Sequence, residues 1–168
     1  MSTKEENVPY WHGKGIQLVT FRLGSENYAV PVWRVKEIIR PIKTFPVPGM
    51  SGPVEGVINL RGEIIPVIRI YEVLGARSVD ETTDERKRRI IILDAAGGGF
   101  GFGVDEVMEV ARISSEDVQP APDTGGGKRC GVEVLGIVRI SGRIIVCIDP
   151  SKLVQSIMNV QELVVGSV

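Results

Sequence analysis

The chain has 168 residues, 43% hydrophobic and 24% charged, with a net charge of −1; this is enough for one domain or for two small lobes sharing a core. Near-neutrality excludes long-range attraction to nucleic acid or to an acidic membrane surface, two cysteines are too few for a disulfide framework, and no stretch approaches the roughly 18 apolar residues of a membrane span. Val and Ile dominate the apolar set, Phe, Trp and Tyr together reach 5%, and 20 Gly and 10 Pro supply tight turns, so the composition predicts an all-β or β-dominated protein.

Residues 1–15 are polar, carry no signal-peptide core and read as a loose tail. Strands are expected at 17–23 (QLVTFRL) and 27–32 (NYAVPV), with GSE as the turn between them. In WRVKEII, 33–39, Val35, Ile38 and Ile39 recur at helical spacing, which predicts a short helix or turn ended by Pro41. The segment 44–53 is a proline-punctuated loop with room for one edge strand. VEGVINL and EIIPVIRI then form a hairpin, and YEVLGAR, 71–77, one helical turn closed by Gly75. A charged loop at 80–89 leads to a strand at 89–95, and strand material follows at 100–113. Thr124 to Gly127 mark a mobile loop. After a second hairpin, Asp149 as N-cap and Pro150 as first residue predict a C-terminal helix over 150–164.

The chain repeats itself. VPVWRVKEI at 30–38 matches FGVDEVMEV at 102–110, an offset of 102 − 30 = 72, and GVINLRGEIIPVIRI at 56–70 matches GIVRISGRIIVCIDP at 136–150, an offset of 136 − 56 = 80. Two blocks in the same order imply two similar lobes, about 17–75 and 88–150, each with about five short strands. That is enough for a small closed barrel, a form without free edges and with a Val/Ile interior. Neither half alone buries much surface, so the lobes are expected to share a core and to be free to exchange strands.

Catalytic parts are missing from this reading. His12 is the one histidine and lies in the tail, which removes Ser-His and Cys-His pairs from the folded body. Cys130 and Cys147 have no CxxC partner for a zinc site, and Cys147 reads as a buried thiol. GGGFGFG, 97–103, fits neither phosphate-loop template. ERKRR, 85–89, is balanced by Asp80, Glu81, Asp84 and Glu85 and reads as a solvated loop. Asp105 and Glu106 are the best candidates for acids near the interior, in a structural role. No metal and no cofactor are expected, and a body that presents surfaces points to an interaction module.

The motifs resemble those of the CheW family, the bacterial chemotaxis coupling proteins. FRLGSENYAVPV at 21–32, Val35 to Ile38, the hairpin at 56–68 with its Asn-Leu-Arg-Gly turn, Val104 to Val110 and the segment Asp149 to Leu153 follow the family pattern in order, over most of the chain. One departure is Arg69, where the family often has an acid.

The resemblance implies two five-stranded, SH3-like barrels around a common core, with a CheW-like domain over 16–153. It implies a non-catalytic cytoplasmic adaptor at receptor arrays on the inner face of the membrane, bridging methyl-accepting chemoreceptors to the histidine kinase CheA. The alternative is a regulatory module of another two-component complex. The receptor tip is expected in a groove between the lobes lined by Val35, Glu37, Ile38, Asn59 and Arg61, with Arg61 as a five-donor fork for carboxylates and carbonyls. CheA's regulatory domain is expected on the second lobe around Val104, Val107 and Val110. Neither nucleic acid nor membrane insertion enters this reading.

Overall fold

The structure is a computed structural model that describes residues 14–50, 52–75, 84–94, 99–120, 128–129 and 132–149. Most of the expected tail, the loop at 124–127, Cys130 and the C-terminal helix over 150–164 lie outside the described residues.

The first strand pair is β1 (Lys14–Leu23) and β2 (Glu26–Pro31), antiparallel through the turn at Gly24 and Ser25. A 3₁₀ turn at Val32–Arg34 leads into β3 (Val35–Ile39). Of the short helix or turn expected at 33–39, only this turn forms, and Val35–Ile39 is a strand. The turn closes after three residues, and the β-branched run beyond it pairs antiparallel with β6 (Arg89–Leu93). A register shift between Val35 and Glu37 accounts for apolar spacing that mimics a helix. The hairpin β4 (Val54–Leu60) and β5 (Glu63–Ile68) is as expected, and α1 (Ile70–Leu74) ends on Gly75 at φ 66°. Next come β7 (Phe100–Val104) and β8 (Glu106–Ser114), then the two-residue β9 (Lys128–Arg129). The second hairpin, β10 (Val132–Ile140) and β11 (Arg143–Asp149), completes the described chain.

The strands form two sheets, ordered β3-β6-β7-β5-β4 and β8-β1-β2-β11-β10-β9. Under the sequence repeat, β3, β6, β7, β5 and β4 correspond to β8, β1, β2, β11 and β10. The two sheets therefore share one order, apart from the small β9. Neither sheet is built from one half of the chain. Each takes its first hairpin-like pair from one half and the other three strands from the other half, a reciprocal exchange. Each exchanged pair is joined on both sides: antiparallel through β3–β6 and β8–β1, and through equivalent parallel pairings, Val67 opposite Gly101 in one sheet and Cys147 opposite Ala29 in the other.

The core follows the same plan. Each sheet carries an apolar cluster of its own: Ile58, Ile65, Val67, Ile90 and Ile92 in the five-stranded sheet, and Leu18, Val138, Ile145 and Cys147 among others in its counterpart. A third cluster joins the two sheets, with Phe21 packed against Tyr28 and Phe102 at ring-centroid distances of 6.0 and 5.5 Å. Among the described residues the two buried polar side chains, Thr20 and Asp105, have partners. The Thr20 hydroxyl donates to the Glu109 carbonyl at 2.9 Å and accepts from the Glu109 N–H at 3.1 Å, at the point where β8 bulges against β1. Buried Asp105 accepts the Gly24 N–H at 2.7 Å and faces Arg22 at 3.9 Å, tying the β1–β2 turn to the β7–β8 junction. Its role is structural.

Two glycines show why the repeat is kept. After β3 the chain crosses β4 with a single bridge, Phe45 to Val57; after β8 it crosses β10 with the equivalent bridge, Gln119 to Ile137. A Cβ at Gly56 would fall on the Phe45 carbonyl oxygen, and one at Gly136 would meet Val118 and sit 2.8 Å from the Gln119 carbonyl oxygen. Glycine is what lets the crossing segment lie on the sheet edge.

Candidate partner-binding site

The β4–β5 hairpin turns through two residues, Arg61 at φ 51° and Gly62 at φ 83°, and its counterpart through Ser141 at 51° and Gly142 at 77°. Both central residues are left-handed, the two-residue geometry that matches strand twist. Gly62 meets this without strain; Arg61 does not, because its Cβ crowds the following carbonyl. The Asn59 side-chain oxygen accepts the Gly62 N–H at 3.0 Å and braces the turn.

Held this way, Arg61 stands out from the tip with its side chain 74% exposed. Its guanidinium makes a two-pronged pair with Glu37, Nη2 to Oε1 at 2.6 Å and Nη1 to Oε2 at 3.0 Å. The hydrogen bonds to that carboxylate, and then its charge, raise the arginine's pKa further above its ordinary value, so it stays protonated. Next to it Lys36 reaches Glu63 at 3.3 Å. Glu37 and Lys36 lie on β3, Arg61 and Glu63 on the β4–β5 hairpin, at opposite edges of the sheet order. Among the described residues no backbone ladder joins β3 to β4. Among the described residues these two ion pairs, the Phe45 bridge and the packing of Ile39 and Leu60 on one apolar cluster link the edges.

The equivalent positions on the other sheet carry different chemistry. Lys36 and Glu63 become Met108 and Arg143, in contact at 3.0 Å between Sδ and Nη1, while Glu37 and Arg61 become Glu109 and Ser141. The exposed forked pair is a feature of one lobe.

The sequence-derived residues fall into place unevenly. Glu37, Asn59 and Arg61 are brought together as a unit. Ile38 is exposed beside them. Val35 is half-buried and packs against the shared core, so it supports the surface more than it forms it. All five lie on β3, β4 and the turn, hence on one sheet, where a groove between the lobes was expected. Among the residues expected for the kinase, Val104 is a correction: it is 3% exposed, part of the shared core, and presents nothing to a partner. It ends β7, whose alternation turns it inward. Val107 is partly buried against the same core, and Val110 is 57% exposed. Sequence reasoning missed Ile64 and Ile144, exposed at 60% and 58% one position past the first residue of β5 and of β11. The signal was available. Counting by twos from the turn glycines reaches Ile64 and Ile144, which puts them on the face opposite Ile65 and Ile145, the buried residues of the same strands.

A family model described as the CheW-like domain matches residues 17–158. The chain belongs to the CheW family. It is 36% identical over 142 residues to a chemotaxis protein CheW of Treponema pallidum, an alignment covering 83% of this chain and 82% of the relative. To that of Thermotoga maritima it is 32% identical over 144 residues, covering 86% and 91%. Its fold is similar to the crystal structure of the scaffolding protein TtCheW from Thermoanaerobacter tengcongensis, with a TM-score of 0.71 and 29% identity, over 83% of this chain and 88% of that one. Among the described residues no helix of this CheW-family chain is long and apolar enough to cross a membrane.

Proposed function

We propose that this chain is a non-catalytic adaptor that couples methyl-accepting chemoreceptors to the histidine kinase CheA, acting in the cytoplasm at receptor arrays. Membership in a family of chemotaxis scaffold proteins supports the reading. The observation that carries it is the tip of the β4–β5 hairpin. A charged side chain is kept at a left-handed position that glycine or asparagine would occupy with less strain, and it is aimed by Glu37 and Asn59. That expense in local stability has a use if the arginine is an anchor for a partner.

The receptor tip docks along this surface. Arg61 supplies the fork, and the exposed Ile38 and Ile64 supply apolar area beside it. CheA's regulatory domain takes the other lobe, where Val110 and Ile144 are exposed and Val107 is partly buried against the shared core.

The experiment is co-purification of the protein with a receptor cytoplasmic fragment and CheA, comparing wild type with Arg61→Asn. Asparagine accepts the left-handed backbone, so the turn is kept while the fork is removed. A loss of receptor capture of about tenfold or more with CheA capture retained is expected. Normal capture and normal kinase stimulation would remove Arg61 from the site.

A further inference from the structure

The far end of the same sheet carries a second concentration of arginines. Where β5 ends and β6 begins, a cavity of about 330 Å³ is lined by Arg69, Arg88 and Arg89 over an apolar wall that includes Val67, Ile68 and Ile90. An adjoining depression shares Arg88 and Arg89 and adds Arg40 and Arg86. The hairpin β4–β5 runs from this end to Arg61, so the two features face opposite ends of the sheet.

Among the described residues, two of the nearby acids are engaged elsewhere. Asp105, at the edge of the cavity, is held by Gly24 and Arg22. Asp84 binds the Arg86 guanidinium at 3.2 Å and the Arg86 N–H at 3.0 Å, which lowers its pKa. Arg89 donates to the carbonyls of Arg86 and Arg88 at 2.8 and 2.7 Å. Glu55 also lines the cavity and Glu85 the depression. Arg69 and Arg88 are half-buried, and among the described residues neither meets a carboxylate. Arg88 goes further: its Nε is buried with no hydrogen-bond partner. A buried N–H left unmade and several like charges around one cavity both raise the energy of the empty site. A carboxylate relieves both, and the guanidinium fork fits it bidentately.

We propose that this end of the sheet is a docking site for an acidic peptide segment of a partner protein, one carboxylate entering between Arg69 and Arg88. Two features select a peptide over a free oxyanion. The arginines spread over two adjoining depressions, wider than one ion, and the apolar wall has a use for side-chain methylenes and none for a phosphate. The basic run at 85–89, which reads from sequence as a neutralised, solvated loop, becomes part of a recognition surface. The proposal rests on the adaptor reading, since it supplies a third contact for a protein that joins others.

The test is fluorescence anisotropy of a labelled hexaglutamate peptide with the full chain at low salt. Wild type, Arg69→Gln, Arg88→Gln and the double variant are compared with Arg139→Gln, an exposed arginine on the other sheet. Expected are a loss of affinity of at least threefold for each single variant and of tenfold or more for the double, with Arg139→Gln at wild-type level. No peptide binding, an equal loss with Arg139→Gln, or displacement of the peptide by equimolar inorganic phosphate overturns the proposal. Should Arg88→Gln fail to fold, Arg69→Gln decides. Neither receptor nor CheA is present, so failure here and failure of the bridging role are separate results.

Discussion

Arg61 and Glu37 are 24 residues apart in sequence and belong to opposite edges of one sheet, yet they share two hydrogen bonds of 2.6 and 3.0 Å. The arginine is therefore fixed before any partner arrives. An exposed pair of this kind contributes little to stability, but it removes conformational freedom that binding would otherwise have to remove.

This makes Glu37 a positioning residue with a measurable signature. Glu37→Gln should weaken capture of a receptor cytoplasmic fragment in the same direction as Arg61→Asn. The double variant should be no weaker than the poorer single one, because the two act as one unit. Titration of the three variants against the fragment checks it; simple addition of the two losses would show that the residues act separately.

The two hairpin tips are strained alike, and the second has no ion pair to justify it. Ser141→Asn relieves a left-handed serine and should stabilise the protein by about 1 kcal/mol, a rise of roughly 2–4 °C in Tm for a chain of this size. Thermal unfolding followed by circular dichroism reads this directly. Gly142→Ala should move Tm the other way, since a Cβ there has open space but the wrong backbone angle.

Gly56 and Gly136 fail for a different reason, contact with backbone that cannot retreat. Alanine at either should cost about 1–3 kcal/mol in urea unfolding. Gly103→Ala is the control: its Cβ meets nothing within 4 Å and its φ is ordinary, so the substitution should be neutral or slightly stabilising.

Cys147 sits fully buried in the interior of its sheet, and burial pushes its thiol pKa up to about 12. The native protein should leave Cys147 unlabelled by iodoacetamide at pH 8 and label it after denaturation, as read by peptide mass spectrometry. The folded state favours the neutral thiol, so the unfolded chain ionises first. The stability this residue contributes is complete below about pH 8.5, the ordinary thiol value, and drains away as pH rises toward about 12. The deficit of Cys147→Ala relative to wild type should accordingly shrink between pH 8 and pH 11 in urea titrations. A deficit that stays constant over that range would mean that the thiol ionises as readily folded as unfolded.

Much of this protein is legible residue by residue. The hairpins follow from alternation and from Gly62 and Gly142, the short helix from Gly75, and the buried thiol from its apolar neighbours. Arg61 is legible too, as the odd residue in a repeated turn. Its partner is less so, because Glu37 lies on a stretch whose Val35, Ile38 and Ile39 spacing reads as helical until β6 claims it. Val104 misled for a related reason. A valine in an alternating run faces in or out according to register, and register is set by the neighbouring strand.

The sequence by itself determined that there are two like units, where each turns, and which turn carries the charge, because hairpins and turns are decided by residues a few positions apart. Only the tertiary structure decided how the units are assembled. β2 finds β11 and β5 finds β7 across the repeat, which joins strands far apart in the chain. Such parallel pairings leave no local mark, since their hydrogen bonds are made by backbone that every sequence shares, and in the arrangement they create the cluster around Phe21 and Phe102 is buried between the two sheets.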